Sequence, residues 1–387
     1  MGMWIGRNRK ARVTYGFDDI ALVPGDVTIN PNEVDTSFQL GSHKIKVPIL
    51  ASAMDGVVDV RFAIAMGKLG GVAVLNLEGV QTRYANPDSV LDKIASASKE
   101  DATHLVQELY RPKIQEKLIV QRVAEIKKAG VLCAVSAIPQ KAERYGAIAQ
   151  DAGADIFVVQ STVSTVKHIS SEYKTLDIEK FCQKMKIPVV IGNCVTYSVT
   201  VDLMRCGPAG LLIGVGPGAA CTTRGVLGIG VPQVTATVDC AAARDYYFKE
   251  SGKYVPIITD GGMNKGGDIC KAFACGADAV MIGSAFARTK EAPGRGFHWG
   301  MATPHANLPR GTRIRVGVTG SLEQILFGPA VLDDGSQNLM GALATCMGNV
   351  GAKSVREFQE TEIIIAPALK TEGKVFQTVQ GVGMGSK

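Results

Sequence analysis

No run of about 18 apolar residues occurs anywhere in this chain, and its opening stretch, MGMWIGRNRK, lacks the apolar core of a signal peptide. Membrane spanning and secretion are therefore not expected. The nine cysteines form no CxxC pair and no ladder of spacings, which points away from a disulfide framework or a structural zinc site and toward a reducing, cytoplasmic setting. A strong charge bias is missing too: 42 Lys and Arg against 36 Asp and Glu leave +6. The basic cluster Arg7, Arg9, Lys10 and Arg12 has no interleaved aromatics, so it reads as a solvated arm and not a nucleic-acid surface. A phosphate-bearing small molecule suits so mild an excess. The 387 residues hold two average domains or one large barrel.

What is present is repetition. Eight short apolar, β-rich runs recur: 49–54, 71–76, 131–138, 155–160, 187–193, 210–215, 255–262 and 277–284. Helix-like segments follow them, among them RFAIAMGKL, KLIVQRVAEIKKAG, AERYGAIAQDAG and GGDICKAFACG, several closing on the glycine that a helix C-terminus favours. Strand and helix alternating eight times predict a (β/α)8 barrel, a TIM barrel whose active site forms from the loops at the C-terminal ends of the strands. A doubly wound open sheet is the alternative, and it too gathers those strand ends at one place. Residues 77–130 and 285–335 interrupt the repeat. The second is a long Gly-, Pro- and Arg-rich loop after strand 8, of the kind that is usually functional, followed by a helix around 336–350 and a polar tail.

The densest chemistry lies at 214–224, GVGPGAACTTR. GLLIGV before it reads as a buried strand, so the loop leaves a strand end. Gly214, Gly216 and Gly218 permit positive φ and close backbone approach, and Pro217 stiffens the turn. Cys221 sits in that loop beside two threonines, where a nucleophilic thiol can face a pocket. The other eight cysteines read as small buried hydrophobes.

GVGPGAACTTR followed by GIGVPQ resembles the catalytic loop of the IMP dehydrogenase and GMP reductase family, whose cysteine attacks C2 of the purine nucleotide. FDDIALVPG (17–25), ASAMDGV (51–57), IGNCVT (191–196), TDGGM (259–263) and VMIGS (280–284) follow the family's order, so the likeness covers nearly the whole chain. It favours the barrel and implies one catalytic domain over 1–387. The 77–130 connection is too short for the pair of CBS domains that long IMP dehydrogenases insert near there.

The resemblance also assigns residues. Cys221 is the nucleophile. Gly262, Gly283 and Ser284 meet phosphate, Asp260 the ribose hydroxyls, and Ser52, Met54 and Met301 the nucleotide; Asp55 could instead cap the next helix. Asn193, with Gln160, Ser161 and Gly214, lines the NAD side. The backbone carbonyls of Gly216, Gly218 and Cys221 match a monovalent-cation site, usually potassium. The chain departs from the family at Ala219, where a phosphate-binding serine is usual, at Gln160 in place of an aspartate, and at Leu212 in place of an arginine. The flap's Arg-Tyr pair is absent, since no tyrosine follows Tyr254. Activation of water then falls to Thr223, to His298 or His305, or to Arg310. The resemblance implies NAD-dependent oxidation of IMP to XMP by a cytoplasmic homotetramer. GMP reductase and a nucleotide-binding paralogue without catalysis are the alternatives.

Overall fold

The eight predicted runs close into a barrel. The computed structural model describes residues 2–300, 311–369 and 371–385. Its central strands are β1 (Ile49–Ala51), β2 (Val72–Asn76), β3 (Ala134–Ala137), β4 (Ile156–Gln160), β5 (Val189–Cys194), β6 (Gly210–Ile213), β7 (Ile257–Asp260) and β8 (Ala279–Ile282). All neighbours pair in parallel, and β8 returns to β1 through Val280 opposite Ile49 and Ile282 opposite Ala51. An open sheet would leave both of those strands at edges, so the doubly wound alternative is excluded.

The helices that cover the strands are α1 (Val60–Lys68), α2 (Glu116–Lys128), α3 (Pro139–Asp151), α4 (Ile178–Lys184), α5 (Tyr197–Arg205), α6 (Gln233–Ser251), α7 (Gly266–Ala274) and α8 (Leu339–Asn349). Their ends follow local chemistry. Asp59 caps α1 by accepting from the Phe62 amide at 2.7 Å, and α6 stops where Gly252 turns to φ 69°. Capping by Asp59 corrects the expectation that Asp55 could serve there. None of the helices in the described residues is long and apolar enough to cross a membrane.

Side chains alternate across each strand, and this parity sorts the core into two layers. Leu50, Val74, Val158, Val190, Leu212, Ile258 and Met281 point into the barrel, while Ile49, Leu75, Phe157, Ile191, Leu211, Ile257 and Val280 face the helices. The hairpin of Phe38–Leu40 and His43–Ile45 seals the bottom by adding Phe38, Leu40 and Ile45 to the inner cluster. Leu212 is fully buried in that apolar layer. An arginine there would place an unpaired charge among aliphatic side chains, which is expensive.

The two segments that interrupt the repeat fold against each other above the mouth. The first forms short helices, including Pro87–Ser96 and Ala102–Leu109; the second forms an antiparallel pair, Phe297–Trp299 with Arg313–Arg315. Tyr110 and Trp299 share an apolar cluster with Val90, Ile94 and Val106. The Trp299 indole donates to the Tyr110 hydroxyl at 2.9 Å, and the Arg313 guanidinium donates to the carbonyls of Ile94, Ala95 and Ala97. The N-terminal arm is an exposed hairpin, Gly2–Gly6 with Arg9–Arg12, tethered through an Arg12–Asp239 ion pair of 2.6 Å. Strand Ile363–Ile365 of the C-terminal segment pairs with Ile20–Leu22.

Candidate active site at the barrel mouth

Continuing the inward parity past the last apolar residue of each strand gives Ser52, Asn76, Ser136, Gln160, Gly214, Asp260 and Gly283. All seven line one cavity of about 570 Å³ at the C-terminal end of the barrel. Asn193 joins them because the register of β5 against β6 shifts between Gly192 and Cys194, a bulge that turns an otherwise outward residue inward. Two glycines are dictated by close approach. A Cβ on Gly283 would lie 3.0 Å from the Met54 sulfur, and one on Gly214, whose φ is 149°, would lie 2.4 Å from the Asp260 carbonyl oxygen.

Cys221 is the one exposed thiol of the nine. Its amide donates to the Gly218 carbonyl at 2.9 Å and its sulfur lies 3.2 Å from the Thr223 hydroxyl. Arg224 ties the two ends of the loop together, donating to the Val215 carbonyl at 3.4 Å and the Val231 carbonyl at 2.7 Å. By contrast, burial pushes the thiols of Cys133, Cys182 and Cys275 up to about 12, which leaves them protonated and inert.

Asp260 is half-buried beside this loop, its carbonyl oxygen packed against Gly214. One of its carboxylate oxygens accepts from Asn193 at 2.8 Å and from Gln160 at 3.1 Å, and Gln160 also donates to the Asn193 side-chain oxygen at 3.3 Å. Burial raises the Asp260 pKa to about 6, with the two amides pulling it back down. The other oxygen remains as an acceptor toward the cavity. Gln233 supports the same corner, donating to the carbonyls of Ile213 at 2.6 Å and Asp260 at 3.2 Å.

The structure gathers Ser52, Met54, Gln160, Ser161, Asn193, Gly214, Gly216, Gly218, Cys221, Thr223, Asp260, Gly262, Gly283, Ser284 and His298 around this cavity. Met301, His305 and Arg310 lie outside the described residues. His298 does not stand in a solvated loop as surface histidines do: it is buried, with its Nε2 3.2 Å from the Ser284 hydroxyl. Sequence reasoning missed Asn76, Glu78, Tyr110 and Ser136, which line the same cavity. Strand parity would have found Asn76 and Ser136. Asp55 also lines it; one oxygen accepts from the Tyr110 hydroxyl and the Val80 amide while the other has no partner, and burial raises its pKa to about 6. Past Gln160 the cavity adjoins a second hollow of about 240 Å³ through Ser161, Thr162 and Val163.

The profile of the IMP dehydrogenase / GMP reductase domain matches residues 14–375. The chain belongs to this family. It is 38% identical over 370 residues to a Mycolicibacterium smegmatis protein named as an uncharacterized oxidoreductase, covering 93% of this chain and 99% of that one. It is 30% identical to the inosine-5'-monophosphate dehydrogenase of Borreliella burgdorferi, with 91% and 93% covered. A crystal structure of an IMP dehydrogenase/GMP reductase-like protein from Corynebacterium glutamicum superposes with a TM-score of 0.89 at 34% identity, over 94% of this chain and 97% of that one. Family membership makes the chain an oxidoreductase and suggests a nucleotide substrate.

Proposed function

We propose that this family member oxidises IMP to XMP with NAD. The observation that carries the reading is the exposed Cys221 thiol, 3.2 Å from Thr223 on the glycine loop, at the cavity where Asn193 and Gln160 hold Asp260. Cys221 loses its proton and its sulfur bonds to C2 of the hypoxanthine. NAD, when bound, supplies the acceptor for the hydride that leaves C2. Water then attacks C2, the carbon–sulfur bond breaks, and XMP and the free thiol are released, so that IMP, NAD and water become XMP, NADH and a proton.

Asp260 takes the ribose hydroxyls through its free oxygen. Gly262, Gly283 and Ser284 receive the phosphate. Thr223 is the described residue that lies beside the sulfur, and it orients the water. Asn193, Gln160, Ser161 and Gly214 hold the nicotinamide side, and the adjoining hollow beyond Ser161 gives an elongated second ligand room to continue. The carbonyls of Gly216, Gly218 and Cys221 form an all-oxygen set suited to potassium. Although the Gly218 carbonyl accepts the Cys221 amide, it keeps a second lone pair. Homotetramer assembly belongs to the same proposal. Exposed Trp4, Phe376 and Val379 at the two ends of the chain are apolar surface that association would cover.

Parallel assays with IMP plus NAD and with GMP plus NADPH test the reading. XMP formation in the first mixture upholds it. Turnover only in the second makes the chain a GMP reductase, and tight IMP binding without turnover in either makes it a nucleotide-binding paralogue.

A further inference from the structure

The cavity poses an electrostatic problem for a phosphate monoester. Among the described residues that line it there is no lysine and no arginine, whereas Asp55, Glu78 and Asp260 all do. The glycine loop offers Ala219 where a hydroxyl would help. His298 is the one described lining residue that can become a cation. It sits on the Phe297–Trp299 strand with its backbone packed on Gly56, and its Nε2 is 3.2 Å from the Ser284 hydroxyl. Its Nδ1 is buried with no partner.

That orphan atom sets the resting tautomer. A bare acceptor nitrogen without a partner is tolerated more readily than a buried N–H without one, so the proton lies on Nε2 and donates to Ser284 Oγ. The Ser284 hydroxyl hydrogen is then free to turn into the cavity.

We propose that His298 is the positioning residue for the phosphate of the bound nucleotide: it aims the Ser284 hydroxyl at the anion and takes up a proton when the anion binds. The proposal rests on the purine 5'-monophosphate reading above. Burial lowers the ring's pKa to about 4, so it is neutral at pH 7. The added proton goes on Nδ1, which has no partner, so the charge of an anion hydrogen-bonded to Ser284 must outweigh that cost and lift the pKa across neutrality. The ionisable groups on the surrounding elements are engaged elsewhere or lie to one side. Asp55 and Tyr110 bond each other, Arg313 bonds the 94–97 carbonyls, Arg288 bonds the Val316 carbonyl, and Arg315 is exposed on the paired strand.

Linkage gives the expected signature. Between the free and bound pKa values one proton enters with the ligand, and affinity falls about tenfold per pH unit as pH rises through the upper part of that window. The phosphate's own second ionisation, at about 6, is avoided by working between pH 7 and 9. Isothermal titration in two buffers of different ionisation heat should show about one proton taken up per IMP by the wild type, and none with inosine. His298→Gln keeps an amide donor for Ser284 but cannot charge. It should lose the proton uptake and bind IMP about tenfold more weakly at pH 7, with inosine unchanged, while His298→Ala weakens IMP further. Absence of proton uptake in the wild type, uptake that persists in His298→Gln, or equal losses for IMP and inosine would overturn the proposal. If the wild type binds no purine nucleotide, the nucleotide reading fails and inorganic phosphate becomes the probe. Proton uptake with phosphate that His298→Gln abolishes then upholds the anion site, and its absence ends it.

Discussion

Gln160 donates its side-chain amide to the Asp260 oxygen that also accepts from Asn193, at 3.1 Å across 100 residues of sequence. This contact joins the strand end expected to face the cofactor to the one expected to hold the ribose. It also gives Gln160 a function that an aspartate there could not perform, because a carboxylate has no proton to donate.

Gln160→Glu should therefore act on nucleotide binding more than on chemistry. A second carboxylate beside Asp260 raises the Asp260 pKa further above about 6. If, as proposed, the ionised form accepts from the ribose hydroxyls, the wild-type KM for IMP should rise as pH falls below 6. In the variant that rise should begin at higher pH, with KM at pH 7 increased about twofold by the first pKa unit gained and about tenfold by two, and kcat changed far less. A KM–pH profile identical to that of the wild type would contradict the contact's role.

Asp260→Asn should stabilise the protein while impairing it. The folded pKa of about 6 lies above the ordinary 3.8, so the cost of ionising the buried group is absent below about 4, grows between 4 and 6 and is complete above 6. Removing the charge is worth at most about 3 kcal/mol at pH 8. Thermal melts should place the variant above the wild type at pH 8 and level with it at pH 4, with a raised KM for IMP. A lower melting temperature at pH 8 would show that the carboxylate's hydrogen bonds outweigh its desolvation.

Tyr110→Phe removes the link between the two segments above the mouth. Trp299 loses its acceptor and Asp55 its hydroxyl donor, and buried groups left unpaired cost about 1–3 kcal/mol each. The urea midpoint should fall with little change in slope. An unchanged midpoint would mean that the apolar packing of Val90, Ile94 and Val106 holds the segments together without the polar chain.

Thr223→Val keeps the side chain's shape and removes the hydroxyl 3.2 Å from the Cys221 sulfur. A burst of NADH close to the enzyme concentration should persist while steady turnover falls, because hydride departure precedes hydrolysis. Full steady turnover would transfer water activation to another group at the mouth.

The barrel was legible because its signal is periodic: eight apolar runs separated by helical segments leave few other packings. The glycine loop was legible because its residues are contiguous. Asn76 and Ser136 follow from strand parity, one step beyond the apolar runs. Asn193 does not, since the bulge at Gly192 that turns it inward has no signature in a stretch reading VVIGNC. The pairing of Tyr110 with Trp299 spans 189 residues and depends on two aperiodic segments meeting, so local pattern carries no trace of it. The same is true of His298. Its sequence neighbourhood suggests an exposed loop, and only the strand pairing with Arg313–Arg315 buries it behind Ser284.

The central claim is that Cys221 forms the covalent bond that makes C2 a hydride donor. Stopped-flow absorbance of reduced nicotinamide after mixing IMP and NAD with the wild type and with Cys221→Ala tests it most directly. The wild type should produce NADH, and the variant, folded and still binding IMP, should produce none; NADH formation by Cys221→Ala would contradict the account.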